Sequence, residues 1–114
     1  MHVVRLGAAP AYEAPGHAGM SMKRLQGREA GPGEAAWLGL SRIAPGGGTT
    51  LAASDAEKFY VGIEGETTVS NGRERAVLRP GDSCRIAPGE NRRVSNETGR
   101  DAVVLLVMAM PRPG

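Results

Sequence analysis

The chain has 114 residues, a length typical of one domain, with 14 basic and 12 acidic residues and a formal charge of +2. The basic residues are scattered, and one Trp, two Tyr and one Phe provide few stacking rings, which argues against binding to nucleic acid. The single cysteine, Cys84, excludes an internal disulfide. No apolar stretch suits a signal peptide or a membrane span, so we expect a cytoplasmic protein that does not bind membranes.

Two regions differ in composition. Residues 7–34 are rich in Gly, Ala and Pro, so residues 1–34 are predicted to form an irregular N-terminal arm that packs on the remainder, with short strands at 2–6 and 20–25. Residues 35–110 are short apolar or alternating runs between turn signals, a pattern typical of an all-β sandwich or barrel. The strands predicted there are 35–43, 49–53, 57–64, 66–70, 73–78, 83–86, 91–96 and 102–109. Residues 111–114 form a tail.

Three local features complete the predicted barrel. Asn71-Gly72 predicts a hairpin with a type I′ turn, because both residues tolerate positive φ. The last strand, Ala102 to Met110, is apolar on both faces, so we expect it to be covered on both sides. Arg24 and Arg42 are predicted to be exterior strand residues.

The spacing of glycines in residues 46–96 resembles the two motifs of the cupin family. Gly46 and Gly65 begin and end the first motif, and Gly81 and Asn96 begin and end the second, with Gly89 inside it. The hairpin at Asn71-Gly72 lies between them, where the family has its inter-motif loop. The resemblance implies a jelly-roll barrel in a single domain, and it implies little about function because this fold carries many chemistries.

The chain departs from the family at the four positions that hold the family's metal. The motif spacing places Ala52, Ser54, Lys58 and Arg92 where the family has two His, one Glu and a third His. Ala52 has no donor atom, Ser54 has only a neutral hydroxyl, and the two cations offer no ordinary lone pair. We therefore expect no metal and no cofactor, and two cationic groups in the barrel.

The register leaves an alternative open. Strand side chains alternate, so only one of Glu57 and Lys58 faces the interior, and the family register favours Lys58. By the same alternation only one of Arg92 and Arg93 faces inward, and the family register favours Arg92. A metal site with unusual ligands, built from His17, Glu57 and Cys84, is the remaining alternative to a metal-free barrel.

The leading functional hypothesis is a metal-independent cupin that binds a small anionic, carboxylate-bearing molecule. Arg92 would supply a two-pronged partner and Lys58 a point charge. The main alternative is a metal-free isomerase, cyclase or lyase that uses Lys58 or Glu57 for proton transfer, with His17 as a further catalytic candidate from a loop over the barrel. A structural protein with a filled barrel is a third hypothesis. Three further residues are candidates for the ligand pocket: Ser54, Tyr60 and Trp37.

The resemblance also implies a homodimer. Members of the family commonly pack sheet against sheet and add an N-terminal strand to the neighbouring subunit. The alternating residues His2 to Leu6 suit such an addition.

Overall fold

The computed structural model describes residues 1–111 and contains ten β-strands and two single-turn 3-10 helices. The helices are Leu6–Ala8 and Arg28–Ala30. The strands are β1 (Ala11–Tyr12), β2 (His17–Gln26), β3 (Ala36–Thr49), β4 (Ala52–Ala53), β5 (Lys58–Glu64), β6 (Thr67–Ser70), β7 (Arg75–Leu78), β8 (Ser83–Ile86), β9 (Asn91–Ser95) and β10 (Ala102–Ala109). The all-β prediction is confirmed, and of the predicted tail 111–114, residues 112–114 lie outside the described range.

The strands form one strongly curved antiparallel sheet in the order β7-β6-β9-β3-β10-β5-β8. β2 adds to β3, β1 adds to β2, and β4 pairs with β9. Central strand β10 lies between β3 and β5, which agrees with its apolar sequence. Because β2 lies within residues 1–34, the predicted arm supplies a ten-residue strand to the barrel sheet.

Register determines which side chains share the barrel interior. Directly opposed residues of neighbouring antiparallel strands project to the same face. One such row is Lys58 on β5, Met108 on β10 and Trp37 on β3, and a second row, two residues away, is Tyr60, Leu106, Gly39 and Arg24 of β2. Tyr60 of the second row joins the apolar core, whose other members, Ile43, Val69, Leu78, Ile86, Val94 and Val104, fill the interior beyond these rows.

The hairpin between the two motifs is present, but its predicted type I′ turn is wrong. β6 ends at Ser70 and β7 begins at its strand partner Arg75, so the four residues 71–74 form the loop. Asn71 is not in the positive-φ region, whereas Gly72 is, at 90°. The Asn71 side chain accepts hydrogen bonds from the amides of Arg73 and Glu74, at 2.9 Å each. This local side-chain capping stabilises a longer loop than the sequence predicted.

The predicted strand at residues 2–6 is also wrong. His2 contacts its own chain, with its Nε2 atom 2.8 Å from the Ala30 carbonyl oxygen. Gln26 donates a hydrogen bond from Nε2 to the His2 carbonyl oxygen at 3.1 Å. These contacts occupy part of the backbone that strand addition to a neighbour would need. Within residues 1–111, no helix has the length and apolarity that a membrane crossing requires.

Candidate functional site

The four positions that correspond to the family's metal ligands lie close together in the barrel. Ala52 on β4 is the direct strand partner of Arg92 on β9. Ser54 lies in the loop after β4 and contacts Lys58, the first residue of β5. The charge of Arg92 in turn affects the titration of Lys58. The chain therefore brings two cations and a hydroxyl to one place.

Lys58 is buried inside the barrel, with 3% of its surface exposed. Its Nζ atom donates a hydrogen bond to Ser54 Oγ at 2.6 Å. Burial lowers the pKa of the Lys58 ammonium below its ordinary value of 10.5, and the nearby Arg92 guanidinium lowers it further. Both effects disfavour the charged form, because a cation loses hydration on burial and is repelled by a second cation.

Arg92 is held at one end of its guanidinium group. Its Nη1 atom donates to Thr49 Oγ1 at 2.7 Å, and the same oxygen accepts the Val94 amide at 3.0 Å. The Nε atom of Arg92 is buried and has no hydrogen-bond partner. A buried donor without a partner costs about 1–3 kcal/mol, so this nitrogen favours an acceptor that enters the barrel.

The carboxylates nearest in sequence do not compensate the two cations. Glu57 accepts a hydrogen bond from Arg85 Nε at 2.6 Å, and Glu64 lies 3.4 Å from Arg42 Nη1, in both cases on the outer surface. Lys58, and not Glu57, therefore faces the interior. Across residues 1–111, no carboxylate lies within ion-pair distance of Lys58 or Arg92.

The remaining pocket candidates line the same interior. Burial raises the pKa of the Tyr60 phenol to about 12, and the positive charge of Arg92 opposes part of this rise. Trp37 is buried in the row next to Tyr60. Leu106 and Met108 share this face and are partly exposed.

His17 does not join this group. It is the first residue of β2, and its Nδ1 atom lies 2.8 Å from the Pro15 carbonyl oxygen. It lines an open groove of about 580 Å³ with Thr49, Arg93 and the glycines 46–48. In the described part of the chain, no hydrogen bond links His17 to Lys58 or Arg92. The predicted role of His17 in catalysis stays a prediction.

The donor set does not fit the family's metal. Ala52 cannot coordinate, and the ammonium and guanidinium groups of Lys58 and Arg92 repel a metal cation. Residues 1–111 contain no cluster of three or more His, Cys, Asp or Glu side chains that could hold an ion. His17, Glu57 and Cys84 form no such cluster. Elemental analysis of protein purified without chelator tests for a metal held in some other way.

Arg24 contradicts its prediction as an exterior residue, whereas Arg42 is exposed as predicted. The Arg24 side chain is 15% exposed, against 53% for Arg42. The alternation along β2 contained the signal, because Arg24 is in phase with Met20 and Met22. Met22 is buried and Met20 packs on the core. A positive charge obscured that phase in the sequence.

Comparison with known proteins identifies the class. Residues 39–108 match the family described as Cupin domain, so the chain belongs to the cupin family. The resemblance read from the two glycine motifs is confirmed. A Mycobacterium tuberculosis protein named beta-D-galactosidase is 42% identical over 111 residues, covering 97% of this chain and 96% of that protein.

Two solved structures illustrate the shared fold. The polyketide cyclase RemF of Streptomyces resistomycificus superposes with a TM-score of 0.84 at 20% identity, covering all of this chain and 82% of the other. A sugar phosphate isomerase of the cupin superfamily from Silicibacter pomeroyi gives a TM-score of 0.79 at 22% identity, covering 95% and 75%. At such identities the likeness is one of fold.

Proposed function

We propose that this chain is a metal-independent cupin that binds a small anionic molecule through a carboxylate held between Lys58 and Arg92. One observation carries the proposal: Lys58 is buried, the partly buried Arg92 lies near enough to lower its pKa, and no carboxylate of residues 1–111 forms an ion pair with either. Desolvation makes uncompensated buried charge expensive. An anionic ligand removes that cost, because it supplies the missing countercharge.

The geometry of the two groups suits a carboxylate. Thr49 fixes one end of the Arg92 guanidinium, which leaves the buried Nε as a free donor. A planar guanidinium can direct two parallel hydrogen bonds to the two oxygens of a carboxylate. Lys58, steadied by Ser54, adds a point charge. Tyr60 and Trp37 supply the apolar walls that limit ligand size.

Ligand-dependent thermal shifts test this proposal. A panel of simple organic acids should raise the melting temperature of the wild type, and Lys58→Met and Arg92→Gln should each reduce the shift. Losing one charge-assisted hydrogen bond should weaken binding by about tenfold or more. Arg93→Gln is the matched control, because Arg93 is the exposed neighbour of Arg92. Equal shifts in all four proteins, or no shift with any acid, would refute the proposal.

A second candidate function is catalysis by proton transfer at Lys58. The lowered pKa of Lys58 favours this reading, because a lower pKa increases the fraction of neutral amine that can accept a proton. The surface ion pair between Glu57 and Arg85 makes Glu57 the weaker candidate. An isomerase, cyclase or lyase reaction would then use Arg92 to stabilise developing negative charge.

The name of the mycobacterial relative adds glycoside cleavage to the reactions to be tested. Glycosidases ordinarily use two carboxyl groups about 5–9.5 Å apart, whereas Lys58, Arg92 and Tyr60 provide none. Hydrolysis of a nitrophenyl β-D-galactoside by the purified chain, with Lys58→Met and Glu57→Gln compared, tests this candidate. Activity lost in Lys58→Met and kept in Glu57→Gln would support catalysis at Lys58. Equal activity in both variants and the wild type would exclude that role.

A further inference from the structure

Arg24 forms a second cationic site on the interior face of the barrel. Its guanidinium carbon lies 3.5 Å from the ring centroid of Tyr12 and 4.1 Å from that of Trp37. The two rings meet edge to face, with centroids 5.8 Å apart. The guanidinium group thus lies against both of these perpendicular rings, and the electron-rich ring faces attract its positive charge.

A glycine leaves room for the two aromatic rings. Gly39 lies on β3 in the same row as Arg24 and Tyr60, and it faces the interior. A Cβ atom added to Gly39 would lie 2.7 Å from the Tyr12 hydroxyl oxygen and 2.9 Å from Trp37 Cζ3. The two rings therefore occupy the space above Gly39, where a side chain would otherwise project.

The hydrogen bonding of Arg24 is incomplete. Its Nε atom donates to Glu29 at 3.0 Å, whereas its Nη1 atom is buried without a partner. Arg92 Nε is in the same state. Two guanidinium groups on different strands thus each offer an unused donor inside one small barrel. An acceptor on a bound molecule would satisfy each donor at a site where water is largely excluded.

The spacing of the strands allows one ligand to reach both places. Arg24 on β2 and Tyr60 on β5 are separated by β3 and β10, which is three strand spacings or about 14 Å between backbones. The sheet curls around the interior, and the long side chains of Arg24, Lys58 and Arg92 shorten this distance. A ligand that reaches both places must therefore extend over several bonds.

We infer that the ligand is a hydroxylated carboxylic acid of the size of a sugar acid, with its carboxylate at Lys58 and Arg92 and a hydroxyl group at Arg24. This inference rests on the proposed function and extends it to the far end of the ligand. A hydroxyl both donates and accepts, and the Arg24 and Glu29 pair offers a donor beside an acceptor. A second carboxylate would suit this place less well, because Glu29 already neutralises Arg24. The faces of Trp37 and Tyr12 can pack on the apolar face of a sugar ring.

Calorimetric titration with three probes tests the inference. Galacturonate carries both the acid and the hydroxyl groups, hexanoate carries the acid alone, and galactose carries the hydroxyl groups alone. We expect Arg24→Gln to weaken galacturonate about tenfold or more and to leave hexanoate within about twofold. Arg24→Lys, which keeps the charge but loses the planar fork, should behave like Arg24→Gln. Lys58→Met should weaken both acids and leave galactose unchanged.

The controls separate the two proposals. Arg42→Gln, an exposed arginine on the neighbouring strand, should not change any affinity. Trp37 fluorescence and melting temperatures establish that the Arg24 variants are folded. If both acids bind through Lys58 and Arg92 but Arg24→Gln changes neither, or changes both equally, this inference is wrong and the proposed function stands. Binding of hexanoate without galacturonate would likewise overturn the inference and leave the proposed function standing. If neither acid binds, both proposals are wrong.

Discussion

Replacing Lys58 by methionine should stabilise the ligand-free protein. Lys58 is 3% exposed and has one hydrogen bond, to Ser54 Oγ at 2.6 Å. Methionine has a similar length and fills the same space without a charge. Ser54 Oγ loses one donor but keeps the Ala56 amide at 3.3 Å.

The expected gain follows from two opposing contributions. Removing a charge-assisted hydrogen bond costs about 1.5–3 kcal/mol. Removing a buried, uncompensated cation returns several kcal/mol of desolvation. We therefore expect a net stabilisation of about 1–2 kcal/mol at neutral pH, which in a chain of this length raises the melting temperature by about 4–8 °C.

The pH dependence supplies an independent check. The folded pKa of Lys58 is lowered below its ordinary value of 10.5, so between the two values the unfolded chain binds a proton that the folded chain does not. Wild-type stability therefore rises with pH in that window. The advantage of Lys58→Met should be largest below the folded pKa of Lys58 and should shrink as the pH approaches 10.5.

Urea denaturation followed by Trp37 fluorescence measures both effects at neutral and alkaline pH. The protein is first unfolded and dialysed to remove any bound molecule. Lys23→Met is the matched control, because Lys23 is the only other lysine and donates to the Leu6 carbonyl oxygen at an exposed site. A Lys58→Met variant that is less stable than the wild type at neutral pH, or whose advantage does not change with pH, would refute this account.

Three further predictions address the barrel and its assembly. Gly62→Ala should unfold or severely destabilise the protein in thermal melts, because the added Cβ would overlap the Arg79 carbonyl oxygen. The pKa of the Glu90 carboxyl is lowered, mainly by a hydrogen bond from Asn71. The wild type should therefore lose more stability than Glu90→Gln as the pH falls below about 4.5. Equal losses of stability in the two proteins over that pH range would contradict this. We propose a homodimer through the outer face of β10, so light scattering should give twice the monomer mass for the wild type and the monomer mass for Leu105→Glu.

The sequence predicted the barrel well because turns and alternation are local signals. The glycine motifs and the apolar last strand were sufficient to predict three features: the family, the central position of β10 and the inward orientation of Lys58. The strand at residues 2–6 failed because short alternating segments form strands only when a partner edge is available. The cytoplasmic location and the homodimer stay predictions.

The candidate site was predicted less completely, for a physical reason. Arg24 lies inside the barrel because two aromatic rings and Glu29 stabilise its charge. Tyr12 lies twelve residues before it in the chain and Trp37 thirteen after it, so this arrangement exists only once β1, β2 and β3 are assembled. A positively charged residue on a strand is ordinarily solvated, so the charge of Arg24 outweighed the alternation that places it in phase with Met20 and Met22.

The distribution of unsatisfied polar groups favours a functional origin for the buried cations. About six residues along β3 from the Lys58 row, the buried Asn96 side chain donates to the Ile43 and Arg100 carbonyl oxygens and accepts the Thr98 amide. The buried side-chain atoms of Asn96 therefore have hydrogen-bond partners, as buried polar atoms in stable proteins ordinarily do. In residues 1–111, the buried side-chain atoms without partners are Arg24 Nη1, Arg92 Nε and Thr67 Oγ1.

Two of those three atoms belong to guanidinium groups, and one of these, Arg92, lies close enough to the buried Lys58 to lower its pKa. Random imperfection of packing would spread such defects through the barrel and would favour neutral hydroxyls, which cost less to bury than charged donors. The presence of charged donors without partners in the barrel indicates stability given up for binding. The stability and the affinity of Lys58→Met test this reasoning. If Lys58 serves a ligand, the variant should hold or raise the melting temperature of the ligand-free protein while lowering affinity, whereas a purely structural Lys58 would make the variant less stable.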